Sequence, residues 1–352
     1  MRKICVACEV MHEPFDEGIR IFASELSRAL AVSQKRKLLL LSEKDSEIGG
    51  LRVHGALSNR YFLSRELAAL IGAFAPEAVI YVSWTSLTAR TLIRARALRR
   101  YAPGARIAVA ALQPRRVDLI ARAAAAFGRP DLVLATGPGV QLQAQRLGIR
   151  AVRVTPGVAL ERFSPVTLQQ KALLKQRARI EPEKFVVLHV GHMKESRNIG
   201  VLEEIARLEG VACVLVASSS TVADQQIASR LSAAGVTLMT HHQDRIEFAY
   251  RLADAYLFPV TSPLDAIETP LSVLEAAACD LAIVSTPFGG LPDLLGDGVT
   301  WARTADQMLG AIRTLAASFR EGKPATGTRR LVAGLGWDRL AANVLAAVED
   351  AG

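Results

Sequence analysis

Thirteen residues near the end of the chain, "IETPLSVLEAAAC" (267–279), join an anion-ready turn to a carboxylate in apolar surroundings. Thr269 is placed to cap a helix, and Pro270 suits the first helical position, where its missing N–H costs nothing. Leu271, Val273, Leu274, Ala276, Ala277 and Ala278 would bury most of that helix, yet Glu275 follows Leu271 by four residues and shares its side. A buried carboxylate is unfavourable unless donors satisfy it. The free amides over Thr269–Ser272, aided by the helix dipole, suit a phosphate. What satisfies Glu275 is the question the stretch raises; a backbone partner or a half-exposed surface position would be the plain answers.

Other candidate chemistry is thinner. Cys5 and Cys8 form C-x-x-C, but no second pair accompanies Cys213 and Cys279. Cys5 and Cys8 fall in an expected strand, where residues three apart point to opposite faces, so buried thiols fit better than zinc or redox use. His241 and His242 are adjacent, a poor metal-ligand pattern without spaced carboxylates, and read as loop residues. "STPFGGLPDLL" (285–295) places Phe288, Gly289 and Gly290 before a helix; a ligand loop or a tight strand-to-helix turn explains them equally well. No D-x-D triplet occurs.

The elements that must position these residues alternate throughout. "KICVACEV", "KLLLLS", "AVIYVS", "RIAVAAL", "DLVLAT" and "AVRVTP" read as strands of a first half, with helices such as "IRIFASELSRAL" and "SLTARTLIRARALRRY" between them. "FVVLHVG", "VACVLVASS", "VTLMTH", "AYLFPV" and "LAIVST" repeat the pattern in a second half. Continuous apolar strands separated by helices predict parallel sheets covered on both faces, hence two doubly wound Rossmann-like α/β domains facing across a cleft. Their ligands are expected at the strands' carboxyl ends. The expected boundaries are a first domain over 1–165, a polar linker over 166–183 broken by Pro182, a second domain over 184–335 and a closing helix over 336–352.

The length of 352 residues suits two domains, and 50% hydrophobic residues exclude disorder. No apolar run approaches the ~18 residues needed to span a bilayer, and the short apolar stretch of "MRKICVACEV" does not read as a signal peptide, so a cytoplasmic location is expected. The formal charge of +9 is uneven: residues 1–170 hold 25 Lys and Arg against 13 Asp and Glu, and the remainder is mildly acidic. Such asymmetry suggests contact with an anionic surface, or else a solvated basic face. Arg90, Arg94, Arg96, Arg99 and Arg100, within "RTLIRARALRRYAPGAR" (90–106), would form a basic helix face near the inner surface of a membrane. Nucleic acid is not expected, because no aromatic platform interleaves with these arginines.

Several segments together resemble the retaining glycosyltransferases of family 4, of GT-B fold (glycosyl transferases group 1). They are "VTPGVALERFSP" (154–165), "LHVGHMKESRN" (188–198), "LEAAACDLAIVSTPFGGLPDLL" (274–295) and "GWDRLAANVLAAVE" (336–349). In that family the second glutamate of a Glu-x7-Glu motif grips the ribose of a sugar nucleotide, and Glu275 matches it. The first glutamate is replaced by Ile267, with Glu268 adjacent as a substitute through a shifted loop, or as an acidic residue favoured near a helix start. The family commonly has Arg and Lys on the loop after the donor domain's first strand, at Gly191 and beyond; this chain has His192 and Arg197 there. A plain capping loop, with Asn198 as cap, is the alternative. Gly18 matches a glycine that lets the backbone approach the donor phosphates, whereas Glu17 stands where a second is common. The family histidine near the reaction centre has no counterpart; Gln113 or His12 is the polar candidate.

The resemblance, which the missing D-x-D triplet fits, implies a metal-independent retaining transferase without a cofactor that moves a sugar from a nucleotide-diphospho-sugar to a glycan or lipid-phosphate-linked acceptor. Glu268, His192 and Arg197 would be its catalytic residues. Gly18, Gly191, Thr269, Leu271, Ser272, Glu275, Phe288, Gly289 and Gly290 would hold the donor. The rival readings are a catalytically degenerate nucleotide-sugar or glycan-binding module and a sugar-nucleotide epimerase.

Overall fold

The structure, a computed structural model, describes residues 1–32, 36–218, 224–241, 243 and 245–351. In chain order the elements are β1 (Lys3–Ala7), α1 (Gly18–Ala31), β2 (Lys37–Leu41), β3 (Ser46–Ile48), β4 (Leu51–His54), α2 (Arg65–Phe74), β5 (Ala78–Val82), α3 (Ala89–Tyr101), β6 (Arg106–Ala111), α4 (Leu119–Phe127), β7 (Leu132–Ala135), α5 (Pro138–Arg146) and β8 (Ala151–Arg153). There follow α6 (Leu168–Arg177), β9 (Phe185–Gly191), α7 (Val201–Ala206), β10 (Val211–Ala217), α8 (Gln225–Ala233), β11 (Thr237–Met239), α9 (Glu247–Leu252), β12 (Ala255–Phe258), α10 (Leu271–Ala278), β13 (Ala282–Ser285), α11 (Leu291–Leu295), β14 (Thr300–Trp301), α12 (Ala305–Arg320), α13 (Arg329–Val332) and α14 (Trp337–Glu349).

The chain divides into two compact units. Met1–Gly157, Ile267–Thr269 and Trp337–Gly352 make the first; Val158–Ala266 and Pro270–Gly336 make the second. The first holds an eight-stranded sheet of order β3-β4-β2-β1-β5-β6-β7-β8. It is parallel except for β3, which pairs antiparallel with β4 across Gly49 and Gly50. Both glycines have positive φ, 56° and 81°, a turn backbone that side-chain-bearing residues resist. The central strand β5 is buried along its whole length, as a parallel strand covered on both faces must be. Leu67, Leu92, Ala121 and Val140 bring α2 to α5 into one core with Cys5, Val79 and Ile107. Phe22 of α1 meets Trp337 of α14 edge-on at 6.0 Å.

The second unit holds a six-stranded sheet of order β11-β10-β9-β12-β13-β14, parallel throughout. Its core joins Val187, Leu215, Leu257 and Val284 of the strands to Leu202, Leu231 and Ile312 of the helices. Residues 166–183, expected as a linker, lie inside this unit and carry α6. The helix starts at a capping box in which Thr167 and Gln170 satisfy each other's backbone amides. Lys175, 1% exposed, fastens it by donating to Asp254 at 2.8 Å and to the Lys184 carbonyl at 2.8 Å.

Arg329–Glu349 is long and apolar enough to cross a membrane by length and composition. It consists of two helices, α13 and α14, and Leu340, Val344 and Val348 of α14 are buried within the protein. The four cysteines are buried free thiols.

Candidate functional site

In the second sheet β9 has β10 on one side and β12 on the other, so the chain's winding reverses between β9 and β12. Open α/β sheets bind ligands at such a point, outside the carboxyl ends of the strands. Here β9 ends at Gly191 and β12 at Phe258. The loops that follow are joined by Asn198, whose side-chain amide donates to the Pro259 carbonyl at 3.1 Å and Thr261 Oγ1 at 3.2 Å. Asn198 itself has φ of +57° and ends a short 3-10 turn, so it does not cap the next helix.

Arg197 closes that turn and is 5% exposed. Its Nη1 donates to the Asp265 carbonyl, while its Nε is buried with no hydrogen-bond partner among the described residues. Burial pulls its pKa below the usual range, with Tyr256 and Asp265 acting in the opposite direction. Gly191 is required by this packing: a Cβ there would lie 2.5 Å from Arg197 Nη2, and its φ is +155°. A buried guanidinium with an orphan donor, pressed on a glycine at the switch point, has the chemistry to receive an anion. His192, next in the chain, is half-buried.

A column of rings starts at His189 of the same strand that ends at Gly191. His189 on β9 is fully buried, donates or accepts at Nδ1 with the Leu257 carbonyl at 2.9 Å, and has no partner at Nε2 among the described residues. Burial, reinforced by Arg197, pushes its pKa down to about 3, so it is neutral at physiological pH. Tyr256 stacks on His189 and Tyr250 stacks on Tyr256, with centroids 6.4 Å and 6.0 Å apart. Tyr250 then donates to Glu275 Oε2 at 2.6 Å. Tyr256 lies within electrostatic reach of both Arg197 and Glu275.

Glu275 is half-buried rather than enclosed, and Tyr250 holds one of its oxygens. On α10, Leu271 is buried and Ser272 half-buried, its side chain hydrogen-bonded to Tyr256. The helix start differs from expectation. Pro270 takes the N-cap position with no side-chain cap, and Thr269 instead donates to the Thr136 carbonyl at 2.6 Å within the first unit. Phe288 is 5% exposed and packs edge-on against Phe258 at 5.4 Å, a core role. Gly289 has φ of +52° and Gly290 precedes α11, so this stretch is at least a tight strand-to-helix turn.

Glu268 lies in the first unit and is 4% exposed. Its carboxylate accepts from the amides of Gly139 and Val140 at the start of α5, the latter at 3.0 Å. Burial raises its pKa, while those amides and Arg153 work against the rise. Gly137 and Gly139 make room for it, since a Cβ on either would fall within 2.7 Å of the Glu268 side chain. The start of α5 thus holds the Glu268 carboxyl inside the protein. Gly18, expected beside phosphates, faces Ile267, whose Cδ1 would lie 3.0 Å from a Cβ there. Gln113 accepts from Arg115 at 2.9 Å, and His12 shares its Nδ1 with the Glu13 carbonyl at 3.0 Å. His241 sits on a loop after β11; His242 lies outside the described residues. Among the described residues, no group of three or more His, Cys, Asp or Glu could hold a metal ion.

The corresponding reversal in the first sheet, between β1 and β5, is filled by protein. Glu9, 4% exposed, pairs with Arg94 of α3 and accepts from the Tyr81 hydroxyl at 2.9 Å. Arg94 also donates to the Arg60 carbonyl at 2.9 Å and lies over the Phe62 ring at 4.6 Å. This corrects the expected basic face of α3: Arg94 is buried and Arg99 pairs with Asp131 at 2.8 Å. A surface groove of about 550 Å³ lies at the opposite, amino ends of the strands, beside Met1, Glu77, Arg106 and Asp131.

The fold is that of the GT-B class, with two Rossmann-like units. Residues 184–318, within the second unit, match the family described as glycosyl transferases group 1. Anabaena HepE in complex with UDP-glucose has the same fold at 15% identity and a TM-score of 0.73, over 99% of this chain and all of the other. Escherichia coli trehalose-6-phosphate protein bound with UDP-2-fluoro glucose gives 12% identity and a TM-score of 0.69 over 98% of each chain. The D-inositol 3-phosphate glycosyltransferase of Mycobacterium ulcerans is 30% identical over 176 residues, which cover 44% of this chain and 36% of the relative. The chain therefore spans little more than a third of the curated relatives it matches.

Sequence reasoning missed the column of His189, Tyr250 and Tyr256. Its only signal was polar residues in otherwise apolar segments, "FVVLHVG" and "FAYRLADAYLF", which must find buried partners.

Proposed function

We propose that the chain is a retaining glycosyltransferase that moves a sugar from a nucleotide-diphospho-sugar to a glycan or lipid-phosphate-linked acceptor. The observation that carries the reading is Arg197: a buried guanidinium with an unpartnered Nε, seated on Gly191 at the switch point of a family-matched domain. A diphosphate supplies the acceptors that such a group lacks. Glu275, oriented by Tyr250, accepts from the ribose hydroxyls. Arg197, His192 and the first amides of α10 stabilise the charge that grows on the diphosphate as the glycosidic bond breaks. No metal is required where cationic side chains and a helix N-terminus take that role.

The UDP and UDP-glucose complexes among the similar structures support the donor class. A thermal-shift panel of UDP, GDP, ADP and their sugars tests it, since a ligand of the native state raises Tm. Glycosyl transfer with the donor's anomeric configuration kept, read by NMR, is the expected turnover. A product of inverted configuration would overturn the retaining assignment, and no Tm shift with any donor would overturn the function.

A second reading, a binding module without turnover, draws on one specific observation. Ile267 replaces the family's first motif glutamate, and adjacent Glu268 is tied to the amides of α5. Donor binding with neither transfer nor slow hydrolysis would favour it, and epimerised donor sugar would point to the epimerase reading.

A further inference from the structure

The solvent face of α4 is apolar. Leu119, Ile120 and Phe127 are 80%, 69% and 76% exposed, and Ala123 and Ala126 lie exposed between them. At 100° per residue these five side chains cover an arc of roughly 120°, while Ala121 and Ala125 point into the core. A helix normally turns such an arc inward; here the buried side has only alanines and the large side chains are in water. Ile93 on neighbouring α3 is also exposed. Isolated exposed apolar residues need no explanation, but a contiguous set on one helix marks an interaction surface.

The charges around this face are basic. Arg116 precedes α4, Arg122 borders the apolar arc, Arg129 follows the helix, and Arg96 and Arg100 are exposed on α3. Arg96 reaches the Phe127 carbonyl, which places its charge at the helix's carboxyl end. The nearby acids are engaged: Asp118 caps α4 by accepting from Ala121 N at 2.7 Å, and Asp131 pairs with Arg99. An apolar helix face with an arginine border is complementary to an anionic bilayer, where the apolar side chains enter the headgroup boundary and the arginines meet lipid phosphates. A protein partner of ordinary composition would be expected to meet a mixed-charge rim.

We propose that the α4 face seats the first unit on an anionic membrane surface. The inference is independent of the glycosyltransferase reading. It also relocates the basic contact from the expected α3 arginines, of which Arg94 and Arg99 are engaged, to α4 and its border.

The test is co-sedimentation of the full chain with vesicles of phosphatidylcholine alone or with phosphatidylglycerol. Wild type should bind the mixed vesicles, weakly or not at all the neutral ones, and less at high salt. The variant L119Q/I120Q/F127Q, all at exposed positions, should lose affinity on the order of a hundredfold with unchanged Tm. L173Q, at a 55% exposed leucine on α6, should bind as wild type. Failure of wild type to bind mixed vesicles at low salt would overturn the proposal, as would undiminished binding by the triple variant. Wild-type self-association abolished in the triple variant, without lipid binding, would assign the face to a second copy instead. Donor thermal shifts on the same variants should be unchanged, so loss of one reading is separable from loss of the other.

Discussion

The two sheets reverse their winding at equivalent places, and the two crevices are finished differently. In the first unit Glu9 and Arg94 neutralise each other, with Tyr81, the Arg60 carbonyl and the Phe62 ring completing the cluster. In the second, Arg197 has a backbone carbonyl but no carboxylate in ion-pair reach among the described residues, and its Nε is unpartnered. Similar topology therefore yields one crevice closed by an internal ion pair and one poised for an external anion. On the proposed function the first charge serves stability and the second serves binding, and the two make opposite predictions.

The largest expected effect is at the closed crevice. Glu9→Ala leaves a buried arginine unpaired and should cost about 3–5 kcal/mol of stability, read from the urea midpoint. It should leave nucleotide affinity within about twofold if the first crevice is structural. Stability within 1 kcal/mol of wild type would break the comparison at its first limb.

Glu275→Gln should weaken the preferred nucleotide by about 1.5–3 kcal/mol with the fold retained, since hydrogen bonds to a charged acceptor are lost. Unchanged affinity by calorimetry removes Glu275 from the site. Tyr250→Phe should weaken the same nucleotide by about 1 kcal/mol, because Glu275 loses the donor that orients it. Affinity equal to wild type would assign Tyr250 a packing role only.

His189 sharpens the comparison through pH. Its folded pKa lies at about 3 because of burial and Arg197, below the ordinary histidine value of 6.5. Between these pH values the unfolded chain binds a proton that the native state excludes, so stability falls as pH drops from 6.5 towards 3, by up to ~1.4 kcal/mol per pH unit. His189→Gln should flatten that slope; an unchanged slope would mean another group sets it. The smallest effect is expected for His192→Arg, which should bind donor as well as wild type or better. Abolished turnover in the folded variant would give His192 a specific role in proton donation.

Much of the fold was legible because parallel strands buried on both faces read as apolar runs. β5 in "AVIYVS" and β9 in "FVVLHVG" are found where the pattern puts them. The β3–β4 hairpin was missed because its strands are short and polar, although Gly49–Gly50 carried its turn signal. The helix α6 was readable too, from Thr167 and Gln170 at capping-box spacing, but the polar composition of its surroundings suggested a linker. What local pattern could not give were partners distant in sequence. Arg94 looks like a surface charge four residues from Arg90 until Glu9 arrives from the loop after β1. Glu268 looks like a loop acid until α5, some 130 residues earlier in the chain, presents its amides. The positions of Arg197 and Gly191 at a strand end were foreseeable; the unpartnered Nε was not, because it depends on which carbonyls the folded loop brings near.

Calorimetry on Arg197→Ala tests the account most directly, using the best-binding nucleoside diphosphate beside its unphosphorylated nucleoside. The account predicts a loss of about 1.5–3 kcal/mol for the diphosphate, little change for the nucleoside, and stability without ligand equal to wild type or higher, because a buried and partly unsatisfied charge has been removed. Undiminished diphosphate affinity in a folded variant would contradict it, and so would an equal loss for both ligands.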